Sequence, residues 1–92
     1  MPGTDSADDA KNPQQYDIRD RSPTLAVLES VARFKQTDPL DLVPLAYYVD
    51  PEALDRLIES ENDVAVRFTY DDVVVDIASS GAITVAERDG WR

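Results

Sequence analysis

The sequence predicts an α+β domain: two amphipathic helices plus a short helical connector, packed on one face of a three-stranded antiparallel β-meander. Three observations lead there. Between Pro23 and Ile58 apolar residues recur at helical spacing behind Ser-Pro and Asp-Pro start signals; from Val64 onward the apolar period becomes two; and the turns between the expected strands have lengths that keep every alternating apolar residue on one face.

The first helix is expected over about residues 23 to 36. Ser22 can cap it, Pro23 suits the first helical position, and Leu25, Leu28, Val31, Ala32 and Lys35 follow at helical spacing. Val27 and Phe34 widen that face, while Glu29, Arg33 and Gln36 occupy the other side. Thr37-Asp38-Pro39 is a second start signal, but Pro44 limits Leu40 to Val43 to one or two turns, which makes this stretch a folded connector. Asp50-Pro51-Glu52 opens another helix, over about residues 51 to 60, with Ala53, Leu54, Leu57 and Ile58 on its apolar side and Asn62 available to end it.

The strands carry Val64, Val66, Phe68 and Tyr70, then Val73, Val75 and Ile77, then Ile83 and Val85. A two-residue loop at Asp71-Asp72 pairs Tyr70 with Val73, Phe68 with Val75 and Val66 with Ile77. A three-residue loop at Ser79-Ser80-Gly81, with Gly81 free to take positive φ, pairs Ile77 with Ile83 and Val75 with Val85. A slip of one residue would invert each strand, so turn chemistry and alternation together set the register. Arg67 then falls across from Asp76 on the outer face, an expected exposed ion pair. With Phe68 in the core, Phe68→Ala is expected to cost about 3–5 kcal/mol. Residues 1–21 have only Tyr16 and Ile18 as sizeable apolar groups after Met1 and read as a disordered acidic tail; the domain occupies 22–88, and 89–92, with Trp91, form a C-terminal tail.

Composition narrows the function classes. The chain of 92 residues holds one domain, and 9 Lys+Arg against 19 Asp+Glu give it a net charge of -10 spread along its length. Only Lys11 and Lys35 are lysines, and most of the acids are aspartates, a pattern that predicts a surface built for high salt, where screening relieves self-repulsion. Absence of Cys and His removes disulfides, thiol nucleophiles and the usual zinc ligands. No segment has the make-up of a signal peptide or a membrane span, so a cytoplasmic protein is expected. The carboxylate pairs Asp71-Asp72 and Glu59 with Glu61 are of the kind that chance supplies in so acidic a chain, and a turn between strands does not enclose a catalytic dyad. There is no P-loop, EF-hand or dinucleotide fingerprint, so no enzyme activity, metal, cofactor or small-molecule substrate is expected.

Three blocks taken together, Asp38-Pro39-Leu40-Asp41-Leu42-Val43-Pro44-Leu45, Val49-Asp50-Pro51-Glu52-Ala53-Leu54-Asp55-Arg56-Leu57 and Val66-Arg67-Phe68-Thr69-Tyr70, resemble the type 1 halobacterial output domain over roughly residues 22 to 87. The resemblance implies a haloarchaeal module that passes signals onward, with no catalytic or ligand-binding residues to carry over. The expected function is a non-enzymatic output or adaptor module that docks a signalling protein or a second copy of itself. Candidate contact residues are Tyr47 and Tyr48 in the connector and Ala65, Arg67, Thr69, Val74, Thr84 and Ala86 on the outer sheet face. The edge from Val64 to Tyr70 could also accept a strand. The alternative is a DNA-binding or transcription-associated regulator, which requires Arg33, Lys35 and Arg56 to converge on one surface.

Overall fold

The structure is a computed structural model and describes residues 13–88; most of the expected N-terminal tail, and the C-terminal tail with Trp91, lie outside the described residues. In chain order the elements are β1 (Gln14–Asp17), α1 (Pro23–Lys35), 3-10 turns at Pro39–Asp41 and Leu45–Tyr47, α2 (Pro51–Ile58), β2 (Ala65–Tyr70), β3 (Val73–Ala78) and β4 (Ala82–Glu87). The α+β class and the antiparallel meander are as expected, but the sheet has four strands rather than three, in the order β1-β4-β3-β2.

The additional strand comes from Gln14–Asp17, within the stretch whose composition reads as tail. It pairs antiparallel with β4, setting Tyr16 against Ile83, and the chain continues into Ile18, whose N–H donates to the Gly81 carbonyl at 2.9 Å. Tyr16 and Ile18 both join the core, so the two apolar residues of this stretch are the ones that order it. Backbone pairing to the open side of β4 provides the rest, and such pairing leaves no trace in side-chain periodicity.

The meander has the expected register. Tyr70 pairs with Val73, Phe68 with Val75 and Val66 with Ile77, while Ile77 pairs with Ile83 and Val75 with Val85. Asp71 takes φ 58° in the first turn, a left-handed conformation that a short polar side chain tolerates, and Gly81 takes φ 103° in the second. Arg67 lies opposite Asp76, with Nη2 3.0 Å from Oδ2.

Caps form where proline marks them. The Ser22 side chain accepts from Leu25 N–H ahead of Pro23, and Asp50 accepts from the N–H groups of Glu52 and Ala53 ahead of Pro51. α1 ends at Lys35 because Gln36 turns left-handed at φ 57°, where its N–H returns to the Ala32 and Arg33 carbonyls. α2 stops at Ile58, earlier than expected, with Glu59 rather than Asn62 as its C-cap, its N–H returning to the Asp55 and Leu57 carbonyls, and the Ser60 hydroxyl donates to the Leu57 carbonyl at 2.8 Å. The two helices are tied at their starts: Asp55 Oδ1 accepts from both the N–H and the hydroxyl of Thr24, each at 2.8 Å.

The buried face of α1 is rotated from the expected one. Ala26, Val27, Ser30, Val31 and Phe34 are buried, whereas Leu25 is 44% exposed and Lys35 reaches the surface. Small residues at 26 and 30 let the helix lie close to the sheet, which a leucine there would prevent. Val27, Val31 and Phe34 meet Val75, Ile77, Ile83 and Val85 in the core, which Leu54 and Ile58 of α2 extend. Phe68 packs against this core while only partly buried.

Chemical unfolding in molar KCl should therefore rank these sites. Ile77→Ala is expected to cost about 2–5 kcal/mol and Phe68→Ala about 2, below the range its alternation pattern alone predicts; Leu25→Ala should cost less than about 1 kcal/mol.

Candidate functional site

The connector between α1 and α2 is short, irregular and firmly attached. Asp38 accepts from Leu40 N–H at 2.9 Å and so starts the first 3-10 turn, while Pro44 and the buried Leu45 open the second. Tyr70, at the end of β2, reaches up to hold this segment: its hydroxyl donates to the Val43 carbonyl, and its ring lies 5.4 Å from that of Tyr48 at an interplanar angle of 54°. A tilted aromatic pair of this kind adds about 0.5–1.5 kcal/mol beyond its buried area. Burial raises the Tyr70 phenol pKa above its ordinary range, which the neighbouring Lys35 opposes.

On this fixed base the connector displays apolar groups to solvent. Tyr47 is 76% exposed and Leu40 92% exposed, while Tyr48, resting on Tyr70, is about half covered. The adjacent tyrosines thus divide as alternation implies, one against the domain and one outward. Leu40 is the residue that motif reading missed. It follows directly on the Asp38-Pro39 cap, in a turn too short to fold it inward.

The outer sheet face is less uniform than expected. Ala65, Arg67 and Thr69 on β2 are exposed and Thr84 on β4 is partly so, but Val74 and Ala86, paired across β3 and β4, are closed off from solvent. The accessible parts of this face are therefore the β2 side, which is also an edge of the sheet, and the far end where Gln15 and Asp17 of β1 pair with Thr84 and Ala82.

The carboxylates resolve into structural pairs. Lys35 Nζ lies 3.2 Å from Asp71 and 2.8 Å from Asp72, bridging both acids of the first turn beside a cavity of about 620 Å³. The hydrogen bond from Lys35 holds the Asp72 carboxyl below its ordinary range, the opposite of what a general acid at neutral pH needs. Glu59 and Glu61 are both exposed. Among the described residues no cluster of acidic side chains could hold a metal ion, and no helix is long and apolar enough to cross a membrane. Nor do the selected cations converge. Lys35 is engaged by two aspartates, Arg56 lies beside Leu57 on α2, and Arg33 lines a different cavity between α1 and β1.

The connector and meander are the parts that the family motifs occupy, and the model of halobacterial output domain 1 matches residues 19–87, most of the chain. The chain belongs to the halobacterial output domain 1 family. It is thus an output-type module of haloarchaea, and the match takes in both helices, the connector and the meander of this output domain while β1 falls outside it. No curated protein and no solved structure gives a significant match.

The aromatic geometry can be read by titration. Burial raises the phenol pKa of both Tyr16 and Tyr70 above 10.0, and phenolate absorbance should show these two ionising late. A raised folded-state pKa means that the stability it carries is full below the unfolded value and is lost as pH rises through the folded one. Tyr70→Phe should remove one late-ionising phenol and cost about 1 kcal/mol through the bond to Val43.

Proposed function

We propose that this output domain works by recognition without chemistry, docking a cytoplasmic signalling protein or a second copy through the connector, with the β2 side of the outer face as a second contact. The observation that carries the reading is the contrast within the connector: Leu45 is buried and Val43 and Tyr48 are anchored by Tyr70, yet Tyr47 and Leu40 stand in solvent. Large apolar side chains on a pre-organised base lose little conformational entropy on binding, and tyrosine is enriched among residues that dominate interface energies. An exposed leucine beside it provides a nonpolar contact that does not depend on charge, which suits a partner met in brine, where ion pairs at the surface are screened.

Ala65, Arg67, Thr69 and Thr84 offer a flatter, weakly polar surface, and β2 ends the sheet with its outer backbone groups open to strand addition. Val74 and Ala86, closed off from solvent, are not part of that contact. The transcription-associated alternative has no matching basic surface in Arg33, Lys35 and Arg56, since one is engaged by aspartates and the other two lie beside different cavities.

Affinity capture of the tagged domain from a haloarchaeal lysate in molar KCl, with proteins and DNA both identified, is the direct test. Wild type should retain a signalling protein or an untagged second copy; Tyr47→Ala and Leu40→Ser should each lower its recovery at least about tenfold, the loss of one central contact. Both variants should unfold at the wild-type temperature. Recovery of specific DNA that both variants retain would overturn the reading.

A further inference from the structure

α1 covers the β1 side of the sheet incompletely. Between them lies a cavity of about 370 Å³, lined by Tyr16 and Asp17 of β1, Arg19 and Arg21 of the following turn, and Ser30 and Arg33 of α1. Three of the chain's nine cations thus meet one carboxylate, in a protein whose net charge is -10.

The three guanidiniums are not equivalent. Arg21 is structural: Nη1 pairs with Glu29, Nη2 donates to the Asp17 carbonyl and Nε to the Ile18 carbonyl. It fixes the turn that carries Arg19. Among the described residues neither Arg19 nor Arg33 has a carboxylate within ion-pair distance, although acids outnumber bases by 19 to 9. The Tyr16 phenol lines the same cavity and, like any phenol at neutral pH, is protonated and can donate a hydrogen bond.

Ser30 is the independent observation. It is 1% exposed, lines the cavity, and its Oγ has no hydrogen-bond partner. Buried hydroxyls are nearly always satisfied, and a helical serine can bond to the carbonyl one turn back, an option this one does not take. Ala26 and Ala32 show that the buried side of α1 accepts a residue without the hydroxyl. An unsatisfied buried hydroxyl costs the empty fold free energy that an acceptor brought within reach would relieve.

We propose that this cavity binds a small phosphorylated molecule, with Arg19 and Arg33 on the phosphate oxygens, Ser30 and Tyr16 donating to it, and the rest of the volume holding the organic part. Donors arriving from three separate elements suit a tetrahedral group with several peripheral oxygens; a planar carboxylate is satisfied by a single guanidinium fork. The volume exceeds what bare phosphate requires and is in the range of small-ligand sites. Molar salt leaves a Debye length of only about 3 Å, so direct hydrogen bonds inside a cavity, rather than long-range attraction, must hold such an anion. The site shares no residue with the connector, and its success or failure is independent of the docking reading.

The test is phosphorus NMR line-broadening together with thermal unfolding of the full chain in constant molar KCl. The probes are inorganic phosphate, glucose 6-phosphate and adenosine monophosphate, with glucose and adenosine as unphosphorylated partners. At least one phosphorylated probe should broaden and raise the unfolding temperature saturably, while glucose and adenosine, which carry no phosphorus signal, should leave the unfolding temperature unchanged. A response to inorganic phosphate alone and a response to the esters both support the site and identify which source it takes. Arg19→Gln and Arg33→Gln should each weaken binding at least tenfold, with circular dichroism confirming the fold. Ser30→Ala should raise the unfolding temperature of the empty protein and weaken binding several-fold. The proposal is overturned if no phosphorylated probe gives a saturable effect, if the Arg19→Gln/Arg33→Gln double variant responds as wild type does, or if Ser30→Ala lowers the stability of the empty protein.

Discussion

A four-stranded antiparallel sheet with one apolar face must have that face covered, and this chain has a single thirteen-residue helix for most of the work. At about 1.5 Å per residue α1 is roughly 20 Å long, about the length of one strand, and lies over the sheet as a bar over a wider plate. Covering a plate with a bar leaves margins. The arrangement of the remaining elements is a response to those margins.

One margin is filled by α2, whose Leu54 and Ile58 extend the core and whose Asp55 locks onto Thr24 at the start of α1. A second is filled by the connector, with Leu45 inserted and Tyr70 rising from β2 to meet Val43 and Tyr48. The third, above β1, is closed only in part, by Tyr16 and Ile18 and the turn that Arg21 braces. The exposed groups of the connector and the arginine cavity are thus both products of limited helical cover.

The meander was legible because independent signals agreed. Alternation selects a face, turn length selects a register, and only one pairing of Val66 to Val85 satisfies both. The helix starts were legible for a similar reason, since Ser22-Pro23 and Asp50-Pro51 each combine a cap with a proline. Side-chain patterns were blind elsewhere. β1 has four residues and pairs through its backbone, while the buried side of α1 is centred on Ala26 and Ser30, which hydrophobicity does not mark. Of the candidate site, the β2 residues were legible as exposed, and so was the division of Tyr47 and Tyr48 but not which of them faces outward; the burial of Val74 and Ala86 was not legible, because solvent access depends on what lies above a strand. The grouping of Arg19, Arg21 and Arg33 depends on β1 and could not be seen without it.

The fourth strand also changes the borders of the sheet. A bare meander would leave two six-residue edges free, and two such edges permit indefinite lateral growth, sheet upon sheet. With β1 laid along β4, one border is a four-residue strand, and the other is β2. A short border is a poor template, so were the proposed docking to a second copy to use a sheet edge, β2 against β2 about a two-fold axis would be the arrangement that closes at two subunits. The strand that lies outside the family match thus replaces one six-residue border of the meander with a four-residue one.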